Sequence, residues 1–133
     1  MSPRSLIAAV SAWSLATGCV VAAVGAGAGG GIYFTERGVE SVVPVSVERA
    51  GAATKRAFAD LKIQQTKTSS EASENGGEKR EVDGTGNDRD ISVTLKSEGS
   101  NSTRVQVVAK KSAVTWDKDF ARTIVDKIVA YSR

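Results

Sequence analysis

Two segments of the chain alternate apolar and polar residues with a period of two. Ile91-Ser92-Val93-Thr94-Leu95 and Val105-Gln106-Val107-Val108-Ala109 each send every second side chain to one face, the pattern of a half-buried strand. Between them, Glu98, Gly99, Ser100, Asn101 and Ser102 have the length and composition of a hairpin loop. Pairing Leu95 with Val105 brings Val93 onto Val107 on the buried face. The same register sets Lys96 against Arg104 on the outer face and Asp90 near Lys110. Like charges directly opposite one another disfavour the sheet, which marks Lys96 and Arg104 as candidates for binding an acidic partner. Glu98, diagonal to Arg104, offers a purely local compensation.

A helical period appears twice. Ser46 is a candidate N-cap with Glu48 in the first turn, and Val47, Ala50, Thr54, Ala57, Phe58 and Leu61 recur on one side. Gly51 weakens that helix. Asp117 caps a stronger one, with Phe120, Ala121, Ile124, Val125, Ile128 and Val129 as a broad apolar stripe and Lys118, Arg122, Asp126 and Arg133 on the far side. Trp116, just before the cap, is placed to close the core end as a hydrophobic staple.

The remaining pattern is weaker. Residues 32–34 and 39–45 predict a first, bent strand ended by Pro44 and Ser46. Residues 61–66 alternate, so a strand follows the first helix almost at once. Residues 69–77 are polar and turn-rich, 78–83 make a weak strand with only Val82 apolar, and 83–90 predict another turn. The order strand–helix–four strands–helix predicts an α+β fold: an antiparallel sheet of four to five strands with both helices packed on one face.

The N-terminal stretch has a different character. After Met1-Ser2-Pro3-Arg4 the chain is uncharged from Ser5 to Thr35, and its only cysteine, Cys19, lies within that run. Arg4 supplies a positive start, residues 6–16 an apolar stretch, and small residues precede Cys19. This arrangement resembles a bacterial lipoprotein signal, in which the cysteine is lipidated and becomes the first mature residue. Ala16 stands where such signals most often carry leucine. Residues 20–31 are almost wholly Val, Ala and Gly, which cannot build a core and suit a flexible tether. The expected organisation is a signal peptide at 1–18, a membrane-proximal tether at 19–31 and one domain at 32–133. Val20 after the cysteine resembles the outer-membrane sorting preference of Gram-negative lipoproteins, so the expected location is the periplasmic face of the outer membrane.

Composition removes several function classes. A net charge of +3 is too small, and too dispersed, for a nucleic-acid face. The chain has no histidine, hence no histidine base and no His-based metal site. One cysteine permits no internal disulfide. Gly25-Ala26-Gly27-Ala28-Gly29-Gly30 satisfies G-x-G-x-x-G, but no helix follows it, so no nucleotide site is expected. Residues 83–90 resemble one turn of a calcium-binding nonapeptide repeat; that chemistry needs stacked copies, and a hairpin turn accounts for the residues.

The signal, the Ala/Gly-rich tether and the strand–helix–meander–helix order, with Tyr33, Phe58, Leu61 and the stripe from Phe120 to Ile128, resemble a family of small bacterial lipoproteins catalogued as a domain of unknown function. The resemblance implies the fold and no activity. The expected function is a non-enzymatic binding or structural module of the cell envelope, held to the membrane by Cys19, with Lys96, Arg104 and Lys110 as its binding face and no cofactor. A periplasmic hydrolase using Asp and Glu residues is the alternative.

Overall fold

The computed structural model describes residues 31–72, 77–99 and 101–133. In chain order they form β1 (Tyr33–Phe34), β2 (Val39–Val43), helix α1 (Val47–Asp60), β3 (Gln64–Ala72), β4 (Glu78–Gly86), β5 (Arg89–Ser97), β6 (Thr103–Ser112), β7 (Thr115–Trp116) and helix α2 (Lys118–Tyr131). The signal segment, Cys19 and the tether up to residue 30 lie outside the described residues, as do 73–76 and 100. No helix among the described residues is long and apolar enough to cross a membrane.

The strands make one antiparallel sheet of seven, in the order β1-β2-β6-β5-β4-β3, with β7 also paired to β6. The expected count of four to five is therefore too low, for two local reasons. The bent first strand is two strands, separated where Gly38 N–H donates to Thr35 Oγ1 at 2.9 Å and Thr35 N–H donates back to the Gly38 carbonyl at 2.8 Å. A side chain at position 38 would strike the Val107 carbonyl oxygen at 2.0 Å, so only glycine fits that close approach. Finally, Thr115 and Trp116 fold back onto β6 and add β7.

The β5–β6 register matches the alternation: Leu95 pairs with Val105, Val93 with Val107, Lys96 with Arg104 and Asp90 with Lys110. Elsewhere the strands outrun the expectation. β3 continues to Ala72 through residues expected to turn, and β4 continues to Gly86. The β4–β5 turn shrinks to Asn87 and Asp88, both at positive φ (55° and 59°), the signature of a tight hairpin with matching twist. Gly84 lies in the strand instead. A Cβ there would sit 2.8 Å from both the Gln64 carbonyl oxygen and Ile63 Cγ2, so the glycine lets β4 approach the end of α1.

Both helix starts are capped as expected: Ser46 Oγ accepts from Arg49 N–H at 3.3 Å, and Asp117 Oδ1 accepts from Phe120 N–H at 3.0 Å. The buried residues of α1 (Val47, Ala50, Gly51, Ala53, Thr54, Ala57, Phe58) and of α2 (Ala121, Ile124, Val125, Ile128) meet Val39, Val82, Ile91, Val93, Leu95, Val105 and Val107 in one core. The helices divide the sheet, α1 touching β3 to β6 and α2 touching β6 and β2, and they also pack against each other. At the helix ends the Tyr131 hydroxyl donates to the Asp60 carboxylate, Lys127 Nζ lies 3.6 Å from the same group, and the Arg56 guanidinium sits 4.1 Å from the Tyr131 ring centroid. Trp116 does not staple the core; its ring lies beneath Arg37, at 5.7 Å.

Candidate functional site

Strand alternation that buries Val93, Val107 and Val82 sends their neighbours to the opposite face, where neither helix lies. Register turns that face into rows across the strands. One row reads Glu71, Lys79, Lys96, Arg104 and Val42 across β3, β4, β5, β6 and β2. The next reads Ser69, Glu81, Thr94, Gln106 and Glu40. Then come Lys67, Asp83, Ser92 and Val108, and last Thr85, Asp90, Lys110 and Trp116.

The face is therefore polarised along the strands. Its basic end, beside the β5–β6 loop, holds Lys79, Lys96 and Arg104 side by side. Arg104 is already engaged: Nη1 meets Glu40 Oε1 at 2.8 Å and Nε meets Glu98 Oε1 at 2.5 Å. The hydrogen bond to Glu98, then Glu40, raises its pKa above the ordinary arginine value against the opposing effect of partial burial. Lys79 reaches Glu71 at 3.5 Å. Lys96 is exposed, with no carboxylate within ion-pair distance among the described residues. It is the cation of this row with charge to spare.

The opposite end is acidic and concave. A hollow of about 400 Å³ is lined by Thr66, Glu81, Asp83, Asp90, Ser92, Val108 and Lys110, among others. Asp83 Oδ1 is buried there and has no hydrogen-bond partner among the described residues. A buried acceptor left unpaired costs free energy on the order of 1–3 kcal/mol, so a donor arriving at this atom is favoured. Three carboxylates and one ammonium suit a polar ligand that donates hydrogen bonds.

Of the residues marked from the sequence, Lys96 and Arg104 come together, as expected. Lys110 does not join them. It stands six residues further along β6, roughly 20 Å away at strand rise, opposite Asp90 on the rim of the acidic hollow. Cys19 lies outside the described residues. The hollow itself is not legible in the sequence, because residues 83–90 have the composition of one long turn. Extending the β4 alternation by three residues to Gly86 would have set Glu81, Asp83 and Thr85 on one face. Among the described residues no group of three or more acidic, histidine or cysteine side chains is arranged to hold a metal ion.

Fold and face together define a class: a small α+β domain with a long antiparallel sheet and two helices packed into its core. The chain belongs to the family described as protein of unknown function (DUF3568), whose family model matches residues 4–130. No curated protein matches the chain.

Proposed function

We propose that this protein is a bacterial envelope lipoprotein, held at the periplasmic face of the outer membrane by an acylated Cys19, and that its domain is a non-enzymatic binding or structural module. The contact surface is the uncovered sheet face. The observation that carries this reading is the unbalanced polarity of that face. Among the described residues Lys96 has no ion-pair partner beside Lys79 and Arg104 at one end, while Asp83 Oδ1 is left without a donor at the other. Sheet stability alone disfavours both features, since facing like charges and an unpaired buried acceptor each weaken a domain. A partner with an anionic group for Lys96 relieves the first, and one with a donor for Asp83 relieves the second.

The hydrolase alternative draws on the carboxylates Glu81, Asp83 and Asp90 around the hollow. That hollow is open to solvent along the sheet rather than a closed cleft, which favours surface recognition over water-excluded chemistry.

Acylation is tested by growing cells that express the full chain with an alkyne-labelled fatty acid. Wild type should incorporate label and lose residues 1–18. Cys19→Ser should incorporate none and remain unprocessed. An unlabelled wild-type chain that retains its N-terminus refutes the anchor.

A further inference from the structure

We propose that β3 is a self-association edge, through which two copies of the chain join into one continuous antiparallel sheet. Among the described residues β3 ends the sheet order and pairs with β4 alone, and all nine of its residues are exposed. Its outer side presents a row of backbone donors and acceptors, the feature that recruits another strand. The β-bulge between Gln65 and Lys67 disturbs only its beginning; from Lys67 to Ala72 the register with β4 is unbroken.

The polar pattern of β3 is complementary to itself. Set Ser69 against Ser69 of a second, antiparallel copy, and Lys67 faces the second copy's Glu71 while Thr68 faces its Ser70. Two-fold symmetry repeats each pair. Within each sheet Glu71 already faces Lys79, at 3.5 Å, and Lys67 faces Asp83. Across the seam the outer row then runs Lys79, Glu71, then Lys67 and Asp83 of the second copy, with charges alternating at every step. On the other face, Thr–Ser pairs exchange hydroxyl hydrogen bonds. No other antiparallel register brings Lys67 onto Glu71, and parallel pairing sets Lys67 on Lys67.

The assembly is a closed dimer, because each copy spends its β3 edge on the other. The opposite edge is β1, only two residues long, so the sheet does not propagate through it. A seam of this length lies at the small end of interface sizes, which makes the dimer weak and calls for covalent capture.

Ser69→Cys in the full chain brings two thiols onto the two-fold axis. Cα atoms directly opposite in an antiparallel pair lie about 4.5–5.5 Å apart, inside the span of a disulfide. Mild oxidation of cells expressing this variant should give a cross-linked dimer on a non-reducing gel. The wild-type chain controls for linkage through Cys19, and Gln65→Cys, more than 20 Å from its symmetry mate at strand rise, should give none. Adding Lys67→Glu or Glu71→Lys to Ser69→Cys should lower the yield roughly tenfold or more, since attractive pairs become repulsive. Co-expressing those two double variants with different tags should restore a mixed dimer, whose facing charges are again opposite. Equal cross-linking at Gln65 and Ser69, yields indifferent to charge reversal, or adducts of Ser69→Cys only with other proteins would each overturn the proposal.

Discussion

Asp117 shows how one side chain can fix an element and tie it to a distant strand. Its Oδ1 caps α2 through Phe120 N–H, and its Oδ2 receives Arg89 Nε at 2.8 Å from the start of β5. The backbone hydrogen bond first, and the Arg89 contact second, hold its pKa below the ordinary 3.8. A carboxylate with a depressed folded-state pKa stabilises the fold above its unfolded pKa, and that stability is lost as pH falls through the folded value. Asp117→Ala is expected to cost about 1–2 kcal/mol near neutral pH, mostly from the cap. The gap between wild type and variant should narrow as pH drops below 3.8. Urea melts at pH 7 and pH 3 measure both effects; a gap that stays constant would show that ionised Asp117 is not its source. This cap was legible in the sequence because an aspartate directly precedes an apolar helical stripe. The Arg89 contact was not, because it joins residues 28 apart and depends on where β5 begins.

Among the elements, those with one buried face were the readable ones. β5, β6 and α2 carry large apolar residues at strict intervals, since Val93, Val107 and Ile124 are fully buried beside polar neighbours. β3 has no buried face, so beyond the alternation that ends at Thr66 its sequence is polar and turn-like; pairing with β4 carries the strand on to Ala72. The sequence pattern shows only part of β4, because Gly84 fills an inward position where an apolar side chain would mark the alternation. The end of α1 near Leu61 is legible in the sequence, but the way it closes is not. Ile63 N–H donates to the Phe58 carbonyl at 2.8 Å and Lys62 N–H to the Ala59 carbonyl at 3.3 Å, a Schellman closure with Ile63 and Phe58 both buried. That motif favours glycine at its left-handed position, yet Lys62 occupies it at φ 56°. Lys62→Gly should therefore stabilise the domain by about 1 kcal/mol, raising Tm by several degrees. A thermal melt that is unchanged or lower would show that the lysine conformation carries no strain.

At the scale of the whole molecule, a chain with a single cysteine gathers its stability in one apolar core and leaves the polar face of β4, β5 and β6 outside it. The loop between β5 and β6 sets the basic end and the Asn87–Asp88 turn sets the acidic end, so the same strand alternation that builds the core also polarises the open face. We propose that this face is occupied in the envelope. Thr94, in the middle of the face, and Ala52, on the exposed side of α1, are suitable reporters. The decisive measurement is thiol labelling of full-length Thr94→Cys and Ala52→Cys, each in intact envelopes and after purification, with wild type correcting for Cys19. Thr94→Cys is expected to be shielded in the envelope and to become reactive on purification, while Ala52→Cys reacts equally in both. Equal reactivity of Thr94→Cys in the two settings would contradict the proposal.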